Sequence, residues 1–406
     1  MMAGTDPGRR DKRGILFGIG CCLAYFAISF YMTSIGAAAS ALMDFWRMDA
    51  ARQGLILTLQ SVCGILLAVL IIFLGNRLNK VRVVLVGLCL MTAAYALMAL
   101  SPSIFTRFAP LFLIALPAGI GVTSIDVMVN GVVLDTYREK GNTVLSIAHA
   151  SFSVGAFVAP LAASALIRPE TPLTYGRTFW VGGVVCALAL ILIVAGGGAS
   201  KTKSVRPVAK PDAVAGGAIL RSPRAWLYLV CGLFYFCFLW GVTAWLPSYC
   251  QSVAGFDYRL ANFAASGFFF GALVMRFLTP LFLKKLSQQR LFLLASGMSG
   301  LCMLGAVLAS LPAIVLPLVI LSGFFQGTLV ICHVMMCCAA FPADTAGASS
   351  LSVLAGTLGM FVAPFIMGVF SDRFSFRVAM CFAIGCIFCS CLLALVTSKL
   401  RREDGA

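Results

Sequence analysis

The hexapeptide Gly155-Ala-Phe-Val-Ala-Pro160 returns as Gly359-Met-Phe-Val-Ala-Pro364, 204 residues later in a chain of 406, with five of six positions identical. Each copy follows a long apolar stretch rich in small residues. A repeat offset by half the chain means that one structural unit has been built twice. In a chain this apolar, that unit is a bundle of membrane helices, and paired bundles around a central site are a transporter layout. The competing reading is coincidence within low-complexity apolar sequence. Gly155 and Pro160, with their mates Gly359 and Pro364, suit close helix contact and a local bend. They are expected to serve gating and structure rather than to touch a ligand.

Composition agrees with that unit. The chain is 61% hydrophobic and 11% charged, with a mean hydropathy of +1.00. Soluble domains carry roughly a quarter charged residues. Runs of about 20 apolar residues, enough to cross a bilayer core, predict twelve spans. They lie near 15–40, 52–74, 82–101, 109–134, 143–167, 178–197, 225–249, 259–283, 290–310, 313–338, 346–370 and 377–397. The first is too long for a cleaved signal and lacks a cleavage site. The polar, basic stretch around Ser200-Lys-Thr-Lys-Ser-Val-Arg206 is the longest connection. It divides the chain into a bundle over 1–199, a linker over 200–220 and a bundle over 221–406.

Charge sets the expected orientation. With both ends cytoplasmic, 21 of the 30 Lys and Arg residues fall in inner segments and eight in outer loops; Arg276 falls inside a span. That bias follows the positive-inside rule. It also accounts for the +16 net charge without nucleic acid, since no folded domain presents these bases. The 16 cysteines mostly sit inside apolar runs, as buried small hydrophobes rather than disulfide or zinc frames. No metal and no cofactor is expected. No phosphate-cradling glycine loop or Ser/His/Asp frame supports an enzyme, and ATP-driven transport by this chain alone is excluded.

Few polar residues lie deep in the spans. Asp126 alone among 14 acids is clearly mid-span. An ionised carboxylate there costs on the order of several kcal/mol unless it is paired, hydrated or protonated. Thr123, Asp126 and Asn130 share one helix face, which reads as cavity-lining; the alternative is a packing hydrogen bond to a neighbouring helix. His149 shares a stripe with Ser146 and Ser153, and reads as a proton partner or as a bridge between helices. His333, on a face with Gln326, lies one turn from the pseudo-symmetric mate of Asp126. A histidine facing an aspartate across a cavity would suit proton-linked transport. Arg276, on the same side of its span as Asn262, either holds an anionic solute, pairs with an acid, or snorkels near the cytoplasmic end. Trp240 and Tyr235 either stack on a solute ring or pack.

Twelve spans in two sets of six, with a basic central linker, resemble the major facilitator superfamily. That family's basic loop after the second span is degraded here to Leu74-Gly-Asn-Arg77-Leu-Asn-Lys80-Val-Arg82, with Arg77 in a structural position. Gly368-Val-Phe-Ser-Asp372-Arg373 resembles the same motif but falls after span eleven, as a chance match or a structural cap. Leu145-Ser-Ile-Ala-His149 through Pro160, with Asp126 four residues before Asn130 and Trp245-Leu-Pro-Ser-Tyr249, is similar to fucose-permease-like sugar:proton symporters. The acid that fucose permease itself has in span one is missing, as is any acid in span seven.

The resemblance implies an all-α membrane protein, two six-helix pseudo-symmetric bundles, working by alternating access. The expected activity is proton-linked movement of a small, sugar-like polar solute, with Asp126, His149 and His333 handling protons. Asn130, Gln326, Trp240, Tyr235, Asn262 and Arg276 are the expected solute contacts. Sodium is the other candidate ion, and export of amphiphilic or drug-like compounds is the alternative function. The expected partners are the solute, the ion and the bilayer. The protein is expected to be a monomer in a bacterial inner (plasma) membrane, with both termini cytoplasmic.

Overall fold

A membrane interior offers the backbone no water, so a spanning segment must satisfy its own N–H and C=O groups, which a helix does. The computed structural model describes residues 7–74, 78–137, 140–197, 221–309, 311–342 and 345–403, and most of them are helical. In chain order the helices are α1 (Pro7–Ala37), α2 (Ala39–Trp46), α3 (Ala50–Leu74), α4 (Lys80–Ile104), α5 (Ala109–Tyr137), α6 (Gly141–Leu166) and α7 (Gly176–Ala195). They continue as α8 (Pro223–Ser252), α9 (Tyr258–Leu283), α10 (Gln288–Leu308), α11 (Pro312–Gln326), α12 (Leu329–Ala340), α13 (Thr345–Arg373) and α14 (Phe376–Glu403).

Among the described residues, twelve stretches are long and apolar enough to span. Each predicted span coincides with one of them to within a few residues, apart from an earlier start at Pro172. Two features were not predicted. Span ten is broken into α11 and α12 at Gly327–Thr328, and α2 is a short helix between spans one and two. Helix starts follow local chemistry. The side chains of Asn79, Asp257 and Ser287 accept from the backbone N–H three residues on, and Pro223 and Pro312 take first-turn positions where no N–H is needed.

An even number of spans puts Pro7 and Glu403 on one face, called here the near face; the opposite face is the far face. α1 and α3 to α7 form one bundle, and α8 to α14 the other. Within each bundle the repeated phrase performs the same task. A β-carbon on Gly155 would collide with the Phe26 carbonyl of α1, and one on Gly359 would collide with Phe236 of α8. Fifth-on-first packing of one bundle is thus repeated as eleventh-on-seventh packing of the other, with backbone approaching backbone where only glycine fits. Pro160 and Pro364 lie inside α6 and α13 respectively. The linker over 200–220 and Arg77 lie outside the described residues.

Between bundles, α3 packs on α13, α6 on α9, and α1 on α8. The closest approaches gather at the far face. Gly36 leaves no room for a β-carbon against the Thr243 carbonyl, nor does Gly54 against that of Pro364, nor Gly368 against that of Ala50.

Candidate functional site

Two cavities lie between the bundles. The larger, about 220 Å³, is bounded by Gln60, Ser61 and Gly64 of α3, Thr123 and Asp126 of α5, Phe236 and Trp240 of α8, and Ser352, Gly356 and Thr357 of α13. A smaller one, about 40 Å³, is deeper. It lies among Ser29 and Thr33 of α1, Phe152 and Ser153 of α6, Trp240 and Thr243 of α8, Arg276 of α9 and Gln326 of α11. Such a volume takes a few waters, not a sugar. Trp240 lines both cavities, and its indole Nε1 donates to the Gly356 carbonyl at 3.1 Å.

Asp126 is exposed to the larger cavity. The helix-face spacing accounts for Asn130 beside it, and other helices supply the rest. The Asn130 side-chain amide donates to the Asp126 carbonyl at 2.7 Å. Tyr25 of α1 donates to Asn130 Oδ1 at 2.8 Å, and His149 Nε2 lies 3.1 Å from the same oxygen. The Tyr25 and His149 rings are 4.7 Å apart, centre to centre. Three helices therefore converge on Asn130, beside a carboxylate that belongs to neither of the described ion pairs, Arg52–Asp49 and Lys80–Asp135. Tyr25 was not singled out from the sequence; an isolated span-one tyrosine carries no spacing signal.

His333 is placed differently from expectation. It is fully buried within the second bundle and does not face Asp126. Nε2 lies 3.0 Å from the Tyr228 carbonyl and Nδ1 lies 2.8 Å from Ser352 Oγ. A carbonyl can only accept, so Nε2 carries the proton and Nδ1 accepts from the serine. A neutral imidazole is thereby fully satisfied as a helix bridge. The 204-residue offset carries Asn130 and His149 to within one residue of His333 and Ser352. The same inter-helix bond is made twice, with the histidine on the opposite partner.

Tyr235 and Asn262 also leave the expected cavity wall. Both are fully buried. The Tyr235 hydroxyl accepts from Gln326 Nε2 at 3.1 Å and so aims that amide. Asn262 donates to the Tyr258 carbonyl one turn back, at 3.1 Å. Their direction around the helix was set by packing that spacing does not encode. Arg276, expected to hold an anionic solute, pair with an acid or snorkel near the cytoplasmic end, lines the deep cavity, and its guanidinium donates to Ser153 Oγ of the other bundle.

Of the two readings of the motif around Asp372, chance match or structural cap, the structure shows a cap, on a helix that the sequence did not point to. The Asp372 carboxylate accepts from the backbone N–H of Ala50 at 2.9 Å and of Ala51 at 2.7 Å. It therefore caps the start of α3 from the opposite bundle. No metal-binding group of three or more His, Cys, Asp or Glu side chains occurs among the described residues.

The sequence profile of the Major Facilitator Superfamily matches residues 21–364 and 255–405. No curated protein matches the chain in sequence. Among solved structures, a bacterial homologue of the human lysosomal transporter Spinster, inward-facing and unoccupied, superposes with a TM-score of 0.77 at 14% identity, covering 99% of each chain. A variant of the nucleoside transporter NupG gives 0.77 at 12% identity, over 95% of this chain and 99% of its own. A D-xylose-proton symporter gives 0.71 at 11% identity, over 93% and 97%. Identities this low establish the shared fold alone.

Proposed function

The chain belongs to the major facilitator superfamily, a multi-pass membrane transporter rather than an enzyme, and from that premise we propose that it moves a small polar solute by alternating access, coupled to protons through Asp126. The observation that carries this reading is the cavity-facing Asp126 beside the Tyr25–Asn130–His149 cluster. A carboxylate without an ion-pair partner among the described residues is a natural site for a proton that travels with the solute. The D-xylose-proton symporter and the nucleoside transporter are neighbours in fold whose named solutes are also small and polar.

In this reading residues 1–199 rock against 221–406 about the linker at 200–220. The far face is closed and the near-face cavity holds the proton site. A monomer suffices, in a bacterial inner membrane, with the near face cytoplasmic as the excess of basic residues favours. The larger cavity also has an apolar side, from Met32, Phe236, Val353 and Met360. That lining favours the second reading, export of amphiphilic compounds.

Asp126→Asn mimics the protonated carboxyl. It is expected to retain solute binding and exchange in proteoliposomes but to lose accumulation driven by an imposed pH gradient. Normal pH-driven accumulation by Asp126→Asn would sink the coupling role. Accumulation by the wild type that follows sodium and ignores pH would replace the ion. A thermal-shift screen on the purified protein finds the solute, because a ligand of the folded state raises its apparent stability.

A further inference from the structure

Arg276 holds a charge for which the described residues offer no counter-charge. It lies in the deep cavity, and its Nε is buried with no acceptor. Neither described ion pair involves it. The side chains around it are neutral: Ser29 and Thr33 from α1, Phe152 and Ser153 from α6, Trp240 and Thr243 from α8, Gln326 from α11. A guanidinium does not shed its proton to escape burial. A half-buried cation whose buried Nε has no acceptor, at the junction of two bundles, is an incomplete site, and an anion completes it.

The donors say what kind of anion. One nitrogen of the fork is bonded to Ser153, while the Nε edge is left without a partner. That edge matches a carboxylate in two parallel hydrogen bonds. The Gln326 amide, held by Tyr235, stands in the same cavity. No second cation lines the cavity, so one negative charge balances it and a phosphate dianion would not.

We propose that the transported solute carries a single carboxylate, held by Arg276 in the deep cavity between the bundles; this rests on the transport reading above and narrows its solute class. A cavity of about 40 Å³ means that the site must widen to admit the group. The bond from Arg276 to Ser153 joins the two bundles, so a carboxylate on the free edge of the same guanidinium sits at the point where the bundles must separate.

The test uses the purified full chain and matched solutes: glucuronate against glucose, and lactate against lactamide. Each pair differs at the carboxylate. Melting temperature and counterflow in proteoliposomes are read for wild type, Arg276→Gln and Arg276→Lys. The expected result is that the carboxylate member of at least one pair stabilises the wild type and its neutral mate does not. Arg276→Gln should weaken that binding by about tenfold or more, with Arg276→Lys intermediate because it keeps the charge and loses the fork. Neutral members that stabilise wild type and Arg276→Gln alike overturn the carboxylate, as does silence from both acids, while transport of neutral solutes leaves the transport reading intact. Arg276-dependent binding without counterflow upholds the anion site and overturns the transport reading. If Asp126→Asn/Arg276→Gln restores accumulation that Arg276→Gln alone has lost, the missing counter-charge is Asp126 and the proposal falls.

Discussion

The same two helices, α3 and α13, meet in opposite ways at their two ends. Toward the far face they lie flush: Gly54 against the Pro364 carbonyl, Gly368 against that of Ala50, and Thr58 donating to the Phe361 carbonyl at 2.8 Å. One to two turns further in they part, and Gln60, Ser61 and Gly64 face Ser352, Gly356 and Thr357 across the 220 Å³ cavity. The closed end is made chiefly of backbone and glycine, with one hydroxyl and one carboxylate. The open end is lined largely by side chains. A seal of backbone surfaces is sensitive to any added atom, because the two chains are already in contact. A side-chain wall tolerates change in shape but not in chemistry. On the proposed transport reading, gating and selection would draw on different materials on one pair of helices.

The largest expected effect on this contrast comes from adding bulk at the seal. Gly54→Leu forces a side chain into the Pro364 carbonyl. Overpacking of this kind costs about 1–3 kcal/mol, and here the cost falls only on the state in which the far face is closed. Populations should shift toward far-face opening by a factor of about 5 to 150 at that energy. Distance measurements between labels at Arg47 and the exposed Phe374 should report a longer component. The labels need non-cysteine chemistry, since the chain has 16 cysteines. An unchanged distance distribution would mean that this contact is not part of the gate.

A smaller shift is expected from Asp372. Its carboxylate meets two N–H groups at the positive end of α3, where capping bonds and the helix dipole act together. Asp372→Ala should weaken the closed far face by about 1 kcal/mol, typical of a lost cap, and Asp372→Asn by less because the amide oxygen still accepts. The start of α3 also keeps its own Asp49, which accepts from Arg52 N–H at 2.8 Å. Loss of helix content in Asp372→Ala, without a longer far-face distance, would assign Asp372 to folding rather than gating.

How much of this was legible depends on the range of the interaction. Spans were readable because roughly 20 consecutive apolar residues have one use. The Asp126–Asn130–His149 cluster was approachable because two of its members lie four apart on one helix. The bond from Asp372 to Ala50 joins residues 322 apart, and no local signal marks it. In the sequence, the Asp372–Arg373 pair reads as a chance match or a cap; only the fold supplies its partner. Tyr235, Asn262 and His333 failed for another reason. Periodicity says which residues share a face, and neighbouring helices decide whether that face meets a cavity or a core. Gly327–Thr328 breaks span ten inside a stretch whose mean hydropathy stays high despite Gln326 and His333, so hydropathy passed over it.

The smallest expected effect on gating and coupling separates the two histidines. They make matching inter-helix bonds in the two bundles, but one is exposed to solvent and the other is sealed. His333 donates to a carbonyl and accepts from Ser352, so the neutral ring is fully partnered, and a second proton would place an unpaired charge in a sealed core. It should stay neutral throughout the cycle. His333→Asn should lower the melting temperature, because removing one partner strands buried polar groups at about 1–3 kcal/mol. It should leave the pH dependence of counterflow unchanged. His149→Asn should do the reverse. Its hydrogen bond to Asn130 is exposed, so little stability is at stake, but the ring touches the cluster beside Asp126, and the pH profile of transport should move. A moved profile in His333→Asn, or an unmoved one in His149→Asn, would show that proton handling does not follow the split between cavity and core.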